Sequence, residues 1–569
     1  MALSLIAFDT DHIKSYVFGT DKLKEIRGAS SILDRLNRDR MLHEASTHHI
    51  RVEPIFTNGG AGLFLVDKEG AEDFGHFVQN AYLDETKGRA SITYVVQRLP
   101  AKIENLSIEE IKKEDLGDTL ELLRYRLHNA KNNPSELIAI TSHPFMHPCD
   151  SCGTAYAEKE ITQPPDEAGL YCMSCMEKRK EDGKVKNHIL DKISRIARSE
   201  QSSSIYLWDR ILEQLKGLGY ALPEGTQPPN DFNEFRLFTE AKEYIGLIYA
   251  DGNNMGAKQD DLKKLVDVED FAKEVDDAVH RAMCQAIKDH LPVVERPSGK
   301  QDETIRFFPF DILMIGGDDI MLVTDAAKAM DVALTIAREF RGLTNNKYTL
   351  SVGVILAPIK YPFGLLLDMA ETTLKFAKKA GADARIKAKR EGVKEFDDTR
   401  INFLTVAGSS RNNFNAVYNS VYHAKDKDKN TEFFASLRPY DPDKLAFLLD
   451  VIRQGHIMNL GRTKLHQVRE AILKKNLTTS VTEGLMVLRN WREKQRNYVT
   501  KQVYSMAGQY QLARSNTQDP GSLFPRVTFP WFADGETKDG LSVYRTSLLD
   551  FVELYDFVSR EGLDESDES

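Results

Sequence analysis

Residues 311–323 read DILMIGGDDIMLV, two apolar runs around Gly316-Gly317 followed by two adjacent acids, Asp318 and Asp319. Apolar runs of strand length on either side of a Gly-Gly turn predict a β-hairpin. Neighbouring carboxylates repel: at an effective dielectric near 20, unit charges about 4 Å apart cost on the order of 4 kcal/mol. Successive strand residues face opposite ways, yet at a hairpin tip both acids can reach one cation cluster. Gly and Asp are also ordinary turn residues, so the surroundings decide the reading. Upstream, YIGLIYADGNNMG (244–256) ends an apolar strand at Asp251 and then turns. In a βαββ unit that strand lies beside the hairpin, so Asp251, Asp318 and Asp319 are expected to converge.

Three acids at one sheet end suit Mg²⁺ (or Mn²⁺), which takes oxygen ligands together with waters and substrate phosphates. Two such ions can stabilise the attacking and the leaving oxygen of an in-line displacement. The turn Gly252, Asn253, Asn254, Met255 and Gly256 is expected to cradle a triphosphate with backbone N–H groups near a helix N-terminus. Gly316 and Gly317 let the backbone bend and a flat ligand lie close to it. Lys375, Lys378 and Lys379, on a later helix, are candidates to neutralise phosphate charge.

Outward from this stretch, residues 244–400 read as strand, helix, hairpin, helix, strand, helix, and the first 100 residues read as the same βαββαβ order. The chain is expected to be duplicated. In the first copy a Gly-Gly pair, Gly59-Gly60, sits at the hairpin tip, with Ala61 and Gly62 where the second copy has acids. Beyond about residue 400, stretches such as PDKLAFLLDVIRQGH and RTKLHQVREAILKK have apolar spacing near 3.6, which predicts a helical region. The tail REGLDESDES is acidic and apolar-poor, and fraying is expected there.

At roughly 100–200 residues per domain, 569 residues make about three to five domains. Hydrophobic residues are 41% and charged residues 28%, without an apolar run of the roughly 18 residues a membrane span needs. The N-terminus has no basic signal-peptide region, so a cytoplasmic protein without membrane contact is expected. A net charge of −10 gives no bulk attraction to nucleic acid.

Four of five cysteines fall in two pairs, Cys149/Cys152 and Cys172/Cys175, nineteen residues apart. Two C-x2-C knuckles can grip one tetrahedral Zn²⁺, and four thiolates leave no open position, so the site reads as structural. A redox dithiol is the rival reading, and His143 and His147 are nearby alternative ligands. Between this insertion and the second copy lies a helical connector, VKNHILDKISRIARSEQ.

Together, DHIKSYVFGTDKLKEIRGASSILDRLNR, NGGAGLF, the four cysteines, ADGNNMG, GGDD and LSVGVILAPIKYPFGLLLDMAETTLKFAKK resemble the large polymerase/cyclase subunit of type III CRISPR effector complexes, Cmr-like, over about residues 1–400. LRPYDPDKLAFLLDVIRQ is similar to that family's helical C-terminal domain. The resemblance implies an α+β fold: a first palm domain at 1–140, a zinc-binding insertion and connector at 141–240, a second, catalytic palm at 241–400 and a helical domain at 401–569. Both palms would be ferredoxin-like, each with ATP, forming 3′-5′ cyclic oligoadenylate when target RNA binds. Asp251, Asp318 and Asp319 would hold the metals, and Gly59 and Gly60 the acceptor nucleotide. Other subunits of the ribonucleoprotein, guide RNA and target RNA are the implied partners.

Two departures stand out. No His-Asp dipeptide occurs, so the HD nuclease of many relatives, and its DNase activity, is not expected. Cys284 stands where relatives often carry a small hydroxyl residue. The alternatives are a palm joining ATP to S-adenosylmethionine, a diguanylate-cyclase-like enzyme, which leaves the degenerate copy unexplained, and a scaffold subunit with a vestigial site.

Overall fold

The computed structural model describes residues 3–560 apart from 104–105, 133–144, 163–167, 199–205, 238, 242, 298–303, 394–395, 407–412, 427–429, 475, 505–528 and 538. His143 and the acidic tail after residue 560 lie outside the described residues.

Strands β1 (Leu3–Asp11), β2 (Val52–Asn58), β3 (Ala61–Asp67) and β4 (Ser91–Arg98) form an antiparallel sheet in the order β2-β3-β1-β4. Helices α1 (Leu23–Arg35) and α2 (Ala71–Thr86) supply one core, and α3 (Gly117–Asn132) covers the other face. β1 is buried on both faces. Ile6 and Phe8 enter the main core, whereas Leu3, Leu5 and Ala7 join a second cluster with Leu120 and Leu123 of α3 and with Leu265 and Val268. Two buried faces are why LSLIAF is apolar without alternation.

After the connector helix α4 (Met173–Ala197), the order repeats: β5 (Tyr244–Gly252), α5 (Leu265–His290), β6 (Phe310–Gly316), β7 (Asp319–Asp325), α6 (Ala326–Leu343), β8 (Leu350–Pro358) and α7 (Phe363–Arg390). The second sheet runs β6-β7-β5-β8, extended by β9 (Ile401–Thr405), which is parallel to β8. Both halves are ferredoxin-like palms.

The hairpins fix how the halves correspond. Each has a register shift three residues before its first strand ends, between Pro54 and Phe56 and between Ile312 and Met314. Asn58 then pairs with Ala61, and Gly316 with Asp319. The counterparts are therefore Gly59 and Gly317, Gly60 and Asp318, Ala61 and Asp319. This moves the expected alignment by one residue: Gly60 and Ala61, rather than Ala61 and Gly62, stand in place of the acids. Asp9, opposite Ala61, matches Asp251, one step beyond the Ala250–Ile320 pair.

One buried guanidinium ties the halves together. Arg27 of α1 pairs with Asp182 of α4 and Asp311 of β6, both at 3.2 Å, and donates to the Pro229 carbonyl at 2.8 Å. Gly28 lies so close to the Lys178 backbone carbonyl that a Cβ would overlap it. Burial pushes the Asp311 carboxyl up to about 6 against the pull of Arg27.

Beyond β9, helices α8 (Pro442–Ile457), α9 (Arg462–Leu473) and α10 (Leu477–Arg489) form where the 3.6 spacing predicts. Asp441 caps α8 by accepting from the Lys444 N–H, with Pro442 in the first turn. To these helices the structure adds a four-stranded sheet: β10 (His423–Asp426), β11 (Thr431–Phe434), β12 (Phe532–Glu536) and β13 (Ser542–Arg545), in the order β10-β11-β13-β12. Among the described residues no helix is long and apolar enough to cross a membrane.

Removing Arg27 strands two buried acids. Arg27→Met should cost about 3–5 kcal/mol at pH 7 in urea unfolding. The gap from wild type should narrow as pH falls toward 5 and Asp311 takes up its proton; a gap independent of pH contradicts this.

Candidate active site and metal centre

The two hairpin tips touch backbone to backbone. Gly59 and Gly317 both adopt left-handed conformations, with φ of +61° and +60°. A Cβ on Gly59 would lie 3.3 Å from the Gly317 Cα and N. Because these glycines are counterparts, the contact is self-complementary, as at a two-fold axis.

Beside this contact the three acids come together. Asp251 sits near the end of β5, Asp319 opens β7 in the adjacent strand, and Asp318 lies in the turn between β6 and β7. Asp318 Oδ2 is so near Gly252 that a Cβ there would be 2.5 Å away. Burial and then the Asp251 charge push Asp318 up to about 6. Burial, then Asp251 and Asp318, push Asp319 well above the usual carboxylate range, while Lys14 and Lys378 pull it down. Asp319 Oδ1 is buried and makes no hydrogen bond. A hard cation is the kind of partner such an oxygen lacks, so the acids fit Mg²⁺ or Mn²⁺.

Lys378 of α7 pairs with Asp251 Oδ2 and donates to the Gly252 carbonyl at 2.8 Å. Lys375 instead points outward and pairs with Glu371 at 3.4 Å, and Lys379 is exposed. Of the three expected lysines, only Lys378 is paired with one of the acids; Lys379 is turned about 100° from it on α7, whereas Lys375, one turn earlier, is held by Glu371.

One residue of the expected phosphate cradle is engaged within the protein. The Asn253 N–H donates to the Thr349 carbonyl at 2.8 Å, and its buried amide bonds Thr349, Ser351 and Asp398. Asn253 therefore fastens the turn to β8 instead of offering a donor to a ligand. Asn254, at φ +59°, immediately precedes a helix of only six residues, Met255–Asp260, without a side-chain capping bond. Met255 packs on Gly252, and Gly256 faces open space.

A cavity of about 140 Å³ lies between the tips, lined by Lys14, Asn37, Gly59, Gly60, Gly316 and Asp319. It brings the expected Gly59, Gly60 and Gly316 to one wall, with Gly317 at the contact beside it.

The first palm keeps a relic that the sequence reading missed. Lys131 of α3 pairs with Asp9 at 2.7 Å and donates to the Thr10 carbonyl at 3.2 Å. Thr10 corresponds to Gly252, so this is the Lys378 clamp again. A lysine on the helix after the last strand of both copies was the available signal. Cys284 is elsewhere: its buried thiol donates to Gln214 at 3.4 Å, and burial pushes it up to about 12.

In the insertion, Cys149, Cys152, Cys172 and Cys175 hold their sulfurs within 4.8 Å of one another. Among the described residues they are the one set of three or more potential ligands so closely gathered, and the acids stand wider apart. Cys172 begins α4, and its sulfur accepts from the Cys175 N–H at 3.5 Å. Four converging thiols fit a structural Zn²⁺. His147 turns to the Pro148 carbonyl at 2.6 Å and takes no part. The cluster is anchored to α1 through Ser151 and Arg179, which both bond Glu25.

Residues 244–386 match the family model for the second palm domain of Cas10/Cmr2. The chain carries a Cas10/Cmr2-type palm. That palm contains β5 through most of α7, hence Asp251, Asp318, Asp319 and Lys378. No curated protein matches the chain. Among solved structures, a Csm1 from T. onnurineus is similar at 13% identity and a TM-score of 0.49, covering 98% of this chain and 70% of that one. Csm1-Csm4 cassettes in complex with cA4 and with one ATP also match at 13% identity, with TM-scores of 0.42 and 0.43. This chain spans 54% and 55% of those two.

Purified protein should contain one zinc per chain, released on Cys172→Ser with loss of protease resistance in α4; wild-type stoichiometry in that variant contradicts the four-cysteine site. Saturating Mg²⁺ or Mn²⁺ at about 100 times its Kd should stabilise wild type by about 2.7 kcal/mol. Asp318→Ala/Asp319→Ala should gain nothing in the same thermal melts.

Proposed function

We propose that this chain is the nucleotide-polymerising large subunit of a type III CRISPR ribonucleoprotein, converting ATP to 3′-5′ cyclic oligoadenylate when target RNA is bound. The observation that carries this reading is the convergence of Asp251, Asp318 and Asp319, with the orphaned Asp319 Oδ1, inside a Cas10/Cmr2-type palm. In nucleotidyl transfer a 3′-hydroxyl attacks the α-phosphorus of a second ATP, the 3′-O–P bond forms, and pyrophosphate leaves with the electron pair of the broken P–O bond. The hydroxyl proton passes to solvent. Bound Mg²⁺ would supply charge stabilisation for the attacking and leaving oxygens.

The chain's own side chains have separable tasks. The three acids would hold the ions. Lys378 clamps Asp251 and the Gly252 carbonyl, setting the turn that faces the nucleotide. Gly59, Gly60, Gly316 and Gly317 let two nucleotides approach the tip contact without a Cβ in the way. The first palm, with Gly60 and Ala61 in place of acids, is suited to hold the acceptor and not to activate a phosphate. Guide RNA, target RNA and the other subunits belong to the same proposal, as does a cytoplasmic location.

The assembled complex, given labelled ATP with and without S-adenosylmethionine, should make oligoadenylate only with target RNA. Asp318→Ala/Asp319→Ala should lower the rate at least about 100-fold. A product carrying the methionine label would reassign the acceptor, and equal product from the variant would remove the enzyme reading.

A further inference from the structure

At the hairpin tips the degenerate palm places a cation against the intact palm. Lys14 lies on the short helix Ile13–Val17, directly after β1. Its ammonium donates to Glu371 of α7 at 2.7 Å, although the two residues are 357 positions apart. The same ammonium stands 5.2 Å from the centre of the Tyr249 ring on β5. Lys14 also lines the cavity at the tips with Gly59, Gly60, Gly316 and Asp319. The partners described for its ammonium, Glu371 and the Tyr249 ring, belong to the second palm, as does Asp319 on the wall of the same cavity.

The contribution runs one way. Carrying the Asp9–Asp251 correspondence forward five residues places Gly256 opposite Lys14, and nothing lies within 4 Å of where a Gly256 Cβ would be. The second palm therefore returns no matching cation from this position to the first.

The Lys14–Glu371 pair explains itself poorly as a strut. The Lys14 side chain is 46% exposed and that of Glu371 23%, and solvent-screened pairs of this kind add little stability. A pair this weak is readily exchanged for a stronger anion. Nucleotide phosphates arriving over Asp318 and Asp319 bring several negative charges to a site already holding three acids. Lys378 is engaged with Asp251 and the Gly252 carbonyl, and Lys375 points outward. Lys14 is the cation that bridges the two palms at this edge.

We propose that Lys14, supplied by the first palm, exchanges Glu371 for phosphate oxygens of the donor nucleotide at the second palm, so that the catalytic centre is built from both halves. This rests on the nucleotidyl-transfer reading above. Lys14 stays protonated throughout: it donates N–H groups to phosphate oxygens as the 3′-O–P bond forms and pyrophosphate departs, and takes no part in removing the hydroxyl proton. Glu371 is the resting partner that keeps the ammonium in place before the nucleotide binds.

The test compares wild type, Lys14→Met, Lys14→Arg and Glu371→Gln in the assembled complex with target RNA and labelled ATP. Lys14→Met should lower kcat/KM about 10- to 100-fold, Lys14→Arg should restore most of it, and Glu371→Gln should lower KM for ATP because the competing acid is gone. Melting temperatures of all four should agree. Equal losses in Lys14→Met and Glu371→Gln would mark a structural strut and overturn the proposal, as would a wild-type rate in Lys14→Met. If the wild-type complex forms no product, nucleotidyl transfer is what fails. Binding of a non-hydrolysable ATP analogue with Mg²⁺ then decides Lys14 separately: weaker binding by Lys14→Met upholds its contact with phosphate, and unchanged binding overturns it.

Discussion

Three carboxylates kept within one another's field at a largely buried sheet end set the terms for the rest of the molecule. Their repulsion and burial raise Asp318 and Asp319 well out of the ordinary carboxylate range. A chain selected for stability alone gains by replacing either with an amide. Two lysines from opposite sides offset part of the cost: Lys378 from the helix behind Asp251, and Lys14 from the other palm. Asp319 Oδ1 remains without a partner. That balance is what the proposed cation and nucleotide site calls for.

The duplication supplies the frame for this balance, and its asymmetry is what the proposed division of labour rests on. Gly59 and Gly317 meet as counterparts; a Cβ on Gly59 would stand 3.3 Å from Gly317, tight for so close a contact, and both positions hold left-handed backbone that favours glycine. On both sides a lysine clamps a strand-end aspartate and the following carbonyl, Lys131 with Asp9 and Lys378 with Asp251. Only the second half adds acids at the turn. Arg27, buried between α1, α4 and β6, holds the halves in the relation that this asymmetry needs. The cysteine cluster, fastened to α1 through Glu25, supports the same helix from outside.

Much of this was legible in the sequence, for reasons that can be named. Asp251, Asp318 and Asp319 stood out because each interrupts an apolar strand at its end, and βαββ topology makes those ends neighbours. The cysteines were legible because paired knuckles need no tertiary context. The one-residue offset between the copies was not. Matching glycines to glycines is the natural alignment, but the register is set by bulges at Ile55 and Leu313, which leave no composition signal. Asn253 looked like part of an anion cradle; its N–H goes instead to Thr349, whose position depends on β8. Helical phase sets Lys379 apart from Lys378, and Glu371 holds Lys375, although the sequence treats the three lysines alike. The C-terminal sheet was hidden because β11 and β13 pair across about a hundred residues, beyond any local pattern.

The central claim is that the three acids of the second palm bind divalent cations together with nucleotide phosphates. Anomalous diffraction from crystals holding Mn²⁺ and a non-hydrolysable ATP analogue tests it most directly. The account predicts anomalous peaks about 2.1 Å from carboxylate oxygens of Asp251, Asp318 and Asp319, with the analogue's phosphates on the same ions. Mn²⁺ bound away from these residues, or phosphates seated without it, would contradict the account.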